Sequence, residues 1–157
     1  MLKRIVGGGV KTGAVMAVTT TAALMALGEW ENGDPWAPVN AVAHVVDGDD
    51  VSPPDGFRLR ESLIGLTANA MAMVFWGVLY EGALTLARKR SNVVAGAVGA
   101  AAAYWIDYRV VPPRLSPGIE KRLSGPAITV TYAVLAATLA ASGLWNRSAP
   151  ADAGEDR

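Results

Sequence analysis

The chain contains no cysteine, which excludes disulfides, thiolate metal sites, iron–sulfur clusters and a cysteine nucleophile. Its single histidine, His44, excludes any site that needs two imidazoles from one chain. Charge is scarce too: 18% of the 157 residues are charged, against about 25% in a typical soluble domain. Neither sign dominates, with 14 Lys and Arg against 14 Asp and Glu, so the basic excess expected of a nucleic-acid partner is missing. What fills the sequence instead is apolar, 52% of all residues. The length suits one ordinary domain rather than two.

The apolar residues fall into four runs. Ile5 to Gly28 holds one charge, Lys11; Leu63 to Leu86 holds Glu81; Val93 to Val111 holds Asp107 and Arg109; Pro126 to Trp145 holds none. About 20 residues at a rise of 1.5 Å cross the hydrocarbon core of a bilayer. A soluble bundle of these lengths would show a polar stripe on each helix, whereas these runs are apolar nearly all round. The expected fold is all-α, an integral membrane bundle of four transmembrane helices near residues 5–28, 63–86, 93–111 and 126–145. These form one domain, 1–145, followed by a polar, disordered tail, 146–157. The rival reading makes the first run a cleaved signal peptide, with Lys3 and Arg4 as its basic start and Ala14 to Leu27 as its apolar segment. Lys11 lies late for that, and no small-x-small cleavage site follows Leu27.

Lys3, Arg4 and Lys11 precede or open the first run, and Arg88, Lys89 and Arg90 form the turn between the second and third. The first loop is acidic. Lysine and arginine bias sets orientation, so both termini are expected in the cytoplasm. Arg114, Lys121 and Arg122 in the third loop pull the other way. Trp30, Trp36, Trp105 and Trp145 fall near the ends of the runs, where an indole sits at headgroup level.

Residues 35–47 are too few to span. They read as an interfacial or re-entrant helix over about 36–46, with Asn40, His44 and Asp47 on one face at i, i+4 and i+7. That polar face is either a solvated stripe or a candidate for metal or proton binding. Ser116-Pro117 has the form of an N-cap followed by an N1 proline, and a short amphipathic helix to Leu123 is expected after it. Trp36-Ala-Pro-Val-Asn-Ala-Val-Ala-His44 and Arg114-Leu-Ser-Pro-Gly-Ile-Glu-Lys-Arg-Leu-Ser124 resemble patterns in a family of small four-helix bacterial membrane proteins. The resemblance implies a bacterial inner membrane and transfers no site and no activity.

Several motifs fail on inspection. Ile5-Val-Gly-Gly-Gly-Val-Lys-Thr-Gly13 lacks the glycine that a phosphate-binding loop needs immediately before its lysine, and Thr12 stands where a dinucleotide pattern needs its third glycine. Asp47-Gly-Asp-Asp50 fails as a calcium loop because Val51, Ser52 and Arg58 occupy positions 5, 6 and 12. Nothing fixes Ser52 or Ser62 as a nucleophile for His44. No cofactor, metal, nucleotide or nucleic acid is expected.

Small residues four apart recur as Gly9/Gly13/Ala17, Gly96/Ala100 with Gly99/Ala103, and Ala133/Ala137/Ala141, a pattern that lets helices approach closely. Lipid, and a second copy or a membrane-protein partner on these faces, are the expected neighbours. Asn69, Met73, Trp76 and Tyr80 share a face of the second run. Lys11, Asn69, Glu81 and Asp107 are the costly polar residues within the runs. Lys11 lies about 26 Å from the Gly28 end of its helix and Glu81 about 27 Å from Leu63, so an ion pair between them is expected. Asn69 and Asp107 also match in depth, allowing a hydrogen bond, or a pair between Asp107 and Arg58, Arg60 or Arg114. Two functions follow: a non-enzymatic structural, scaffolding or accessory membrane protein, or a subunit of an oligomeric ion or solute transporter.

Overall fold

Two helices can approach to backbone contact only where side chains are absent, and glycines in the first and second apolar runs meet that condition. In the computed structural model, which describes residues 1–48 and 52–146, these runs become α1 (Leu2–Asn32) and α4 (Leu59–Leu86). They form the most extensive helix pair. A Cβ on Gly13 would lie 2.4 Å from Val74 Cα, and one on Gly77 would lie 2.4 Å from the Gly9 carbonyl oxygen. The third and fourth runs become α5 (Val93–Arg109) and α6 (Gly125–Ala141), the latter followed after a turn by α7 (Gly143–Asn146). Gly96 makes their close approach, since a Cβ there would lie 2.4 Å from the Ala136 carbonyl. Ala136 and Ala140 form the matching surface on α6, while Ala133 and Ala137 face outward.

The ends of the helices are set locally. Gly33 takes the left-handed φ of 65° and its N–H bonds the Glu29 carbonyl, closing α1. The Asn92 side chain caps α5 through Ala95 N–H at 2.9 Å, and Ser124 caps α6. Glu31 at the end of α1 accepts from Ser124 N–H at 2.9 Å, tying the end of one long helix to the start of another.

The described residues are 78% helical with no strand. Three helices, Leu2–Asn32, Leu59–Leu86 and Gly125–Asn146, are long and apolar enough to cross a membrane. Only 28%, 22% and 39% of their most apolar windows are buried, and the outward surface carries Val18, Met71, Phe75, Val94 and Val98. α5 has 17 residues, about 26 Å of rise.

α1 packs on α4 and α6, and α6 on α5. α4 and α5, although consecutive, are not a closely packed pair. Trp76 and Tyr80 of α4 reach across instead, Tyr80 laying its ring on Gly99. One core gathers Met16, Tyr80, Ala100, Ala103, Leu135 and Leu139, with Met73 and Trp76 against it; a second holds Leu24, Val42, Ile119, Leu123, Ala127 and Ile128.

The first loop differs from the single interfacial or re-entrant helix expected over 36–46. It forms two short helices, α2 (Ala37–Ala41) and α3 (His44–Asp47), and residues 37–44 are buried. Gly28 and Gly65 admit Pro38 and the Val39 carbonyl, so the segment tucks between α1 and α4. In the third loop the amphipathic helix expected from Ser116-Pro117 to Leu123 is reduced to one 3₁₀ turn, Ile119–Lys121, which starts after Gly118 at a left-handed φ of 73°; a separate 3₁₀ turn, Pro113–Leu115, precedes the Ser116 position. Asn146, expected to open the tail, belongs to α7; the rest of that expected segment, residues 147–157, lies outside the described residues, as do Asp49, Asp50 and Val51.

Candidate functional site

A polar side chain inside an apolar helix is retained at a cost unless another group satisfies it. For Asn69, Asp107 and Glu81 the partner is on another helix. Asn69 Nδ2 donates toward α1, to Thr21 Oγ1 at 3.0 Å, Thr20 Oγ1 at 3.2 Å and the Ala17 carbonyl at 3.4 Å. Asp107 Oδ2 accepts from the Tyr132 hydroxyl of α6 at 2.7 Å, and the Trp76 indole is directed at the same carboxylate. Glu81 Oε1 accepts from Thr12 Oγ1 at 3.0 Å and from Asn146 Nδ2 at 2.8 Å, and Asn146 Nδ2 also reaches Thr12 Oγ1.

Two expected pairings are therefore corrected. No ion pair joins Lys11 and Glu81 among the described residues: Lys11 is exposed, and its neighbour Thr12, fully buried, holds the carboxylate. Depth along the axis fixes height but not azimuth, and successive residues on a helix are about 100° apart. Gly9 and Gly13 turn toward α4, which brings Thr12 into the seam and sends Lys11 out of it. The variant pair Lys11→Glu and Glu81→Lys is accordingly expected to show no recovery over the sum of the single changes in a detergent thermal melt. Recovery of most of the loss would restore the ion pair.

Among the described residues Asn69 and Asp107 do not bond each other, nor does Asp107 meet an arginine; Tyr132 of α6 holds its carboxylate instead. Arg60 instead holds Asp47 at 2.6 and 3.0 Å, and Arg122 holds Asp55 at 3.0 Å. Asn69 and Asp107 do line one cavity of about 400 Å³, with Thr20, Thr131 and Tyr132, and with Leu115, Ser116, Pro117 and Ile119 of the third loop on its wall.

The loop residues part company in the same way. Asn40, 1% exposed, donates to the Pro54 and Gly56 carbonyls at 3.0 and 2.8 Å and accepts from Ser62 Oγ at 2.8 Å. Ser62 in turn accepts from Arg58 N–H at the start of α4. His44 Nε2 bonds the Ser116 carbonyl at 2.9 Å, which requires Nε2 to carry the proton. Gly118 is packed so closely that a Cβ would lie 2.3 Å from the His44 ring. Asp47 goes to Arg60, whose guanidinium hydrogen bonds hold its carboxyl below the usual range. These hydrogen bonds of the three side chains thus go to different groups rather than to one another. No group of three or more His, Asp or Glu suited to a metal ion occurs among the described residues.

The residues that sequence reading passed over are Thr12, Asn146, Trp76 as a carboxylate partner, Tyr132 and Ser62 as an Asn40 partner. Hydroxyls and amides at those positions carry no charge signal. For Thr12, Asn146, Trp76 and Tyr132 only their height, matching Glu81 or Asp107, marks them. Comparison with family models, curated proteins and solved structures finds no match for the chain.

Proposed function

We propose that the chain is a single four-span unit of a bacterial inner membrane, with both termini cytoplasmic, serving a structural, scaffolding or accessory role without catalysis. One observation carries this reading: Asn69, Glu81 and Asp107 are each closed on side chains of other helices in the same chain. Such groups staple a bundle. α5 supplies the fourth span, its 17 residues lengthened by Val110 and Val111 toward the roughly 30 Å of a hydrocarbon core. Arg60 and Arg122 at one end are engaged with carboxylates, whereas the cations around Lys3 and Arg88 stand in the place that the positive-inside rule assigns to the cytoplasm. The outward pairs Ala97/Ala101 and Ala133/Ala137 offer small-residue faces to a membrane partner.

A second reading, a transporter subunit, is favoured by Asn69 and Asp107 lining one cavity. Glu81 stands twelve residues farther along α4, about 18 Å, so the polar groups form two separate clusters.

Purification in mild detergent with partner identification tests the role. A stable heteromeric partner is expected; a homo-oligomer that passes ions in liposomes would replace this reading with transport. Reporter fusions at the C terminus and at Asp50 are expected on opposite sides of the membrane. The same side for both would leave α5 short of crossing and remove the fourth span.

A further inference from the structure

Six cations meet at the end of the bundle where α1 begins and α4 passes into α5. Lys3, Arg4 and Lys11 come from α1, and Arg88, Lys89 and Arg90 from the connecting turn; together they line an open cavity of about 830 Å³. Arg88 takes a φ of 52°, a left-handed conformation uncommon for a residue with a side chain, at the turn that brings three consecutive cations to the cavity. Among the described residues the one carboxylate on the wall is Glu81, whose Oε1 is occupied by Thr12 and Asn146. None of the six cations makes an ion pair among the described residues.

Two further features call for an acceptor. Ser142 is fully buried, and neither its hydroxyl nor the buried Trp145 indole nitrogen has a hydrogen-bond partner among the described residues. Both residues line this cavity. Buried donors are rarely left unmet. The third feature is apolar. A groove of about 450 Å³ lies between α4 and α5, walled by Trp76, Leu79, Val98 and Leu135, and Leu84 and Lys89 line both it and the basic cavity. A free anion would use the basic end only; an amphiphile uses both.

We propose that this end of the protein binds an anionic phospholipid, its phosphate among the six cations and one acyl chain along the α4–α5 groove. The inference rests on the membrane reading above, which carbonate-resistant membrane fractionation checks separately. The experiment is a titration of the full chain in mild detergent, read by native mass spectrometry. The probes are phosphatidylglycerol, phosphatidylcholine with the same chains, and inorganic phosphate. Phosphatidylglycerol is expected to bind at least about tenfold more tightly than phosphatidylcholine, as surface electrostatics implies. Inorganic phosphate at the same concentration should fail to displace it. Arg88→Gln with Lys89→Gln and Arg90→Gln, all exposed positions, should weaken it about a hundredfold. Lys3→Gln with Arg4→Gln, on the opposite wall, should weaken it about tenfold or more. Ala102→Phe, which fills the groove, should weaken the long-chain lipid while leaving a short-chain phosphatidylglycerol unaffected. Equal binding of phosphatidylcholine, full displacement by phosphate, or unchanged affinity in both cation variants would overturn the lipid site. Those results with the protein still in the membrane fraction would leave the membrane reading standing; loss from that fraction would remove it.

Discussion

Gly77→Leu is expected to separate α1 from α4 and to cost the fold about 3 kcal/mol, the upper part of the range for overpacked cores. A Cβ at this position would sit 2.4 Å from the Gly9 carbonyl oxygen and 2.8 Å from Gly13 N. Those neighbours are backbone, so neither can swing aside as a flexible side chain would. The whole α1–α4 seam must open, and with it the Thr12–Glu81 and Asn69–Thr20 hydrogen bonds that cross it. Gly7→Ala is the matched control, because a Cβ on Gly7 meets nothing within 4 Å. Replacing glycine by alanine in a helix is in itself favourable, so that variant should be unchanged or slightly more stable. Thermal unfolding in detergent, followed by circular dichroism, separates the two. A Gly77→Leu protein that melts with the wild type would show that the seam is not backbone to backbone.

Asn40→Asp should cost about 3 kcal/mol at neutral pH, the scale for leaving a buried charge or donor unmatched. The substitution keeps the shape and the oxygen that accepts from Ser62, but it replaces the amide that donates to Pro54 and Gly56 with an oxygen facing two carbonyls. At 1% exposure, water cannot compensate. Burial favours the neutral acid, so the folded pKa of the new carboxyl lies above its unfolded value of about 3.9. The variant's deficit is therefore smallest below the unfolded pKa and grows as pH rises through the higher folded one. Asn40→Leu leaves the same carbonyls unpaired with no titrating group, so its deficit should not follow this curve. Melting both variants from pH 3 to pH 8 checks the difference. An Asn40→Asp protein as stable as wild type at pH 7 would mean the loop is not held by this side chain.

Much of the long-helix layout was legible because a span needs only length and apolarity. The four runs recur as α1, α4, α5 and α6 with ends displaced by a few residues, since capping by Gly33, Asn92 and Ser124 is a local matter. The small-residue pattern was legible in part. Gly9, Gly13 and Gly96 do mark close approaches, but Ala136 and Ala140 form the α6 contact surface where Ala133 and Ala137 were expected. A run of alanines offers several equivalent stripes, and only the partner helix chooses among them.

The sequence by itself determined what kinds of segment exist and the height at which each polar residue sits, because rise per residue and hydropathy are properties of one helix. Tertiary structure decided which residue meets which. It gave Glu81 to Thr12 and Asn146 rather than to Lys11, and Asp107 to Tyr132 rather than to Asn69. It also buried Asn40 and His44, whose shared face left open whether they met water or a ligand, against other loops and the start of α4. The physical reason is rotation and separation. A one-residue shift turns a side chain by about 100°, and whether α4 lies against α5 or stands off from it depends on the glycines and large aromatics of all four helices together.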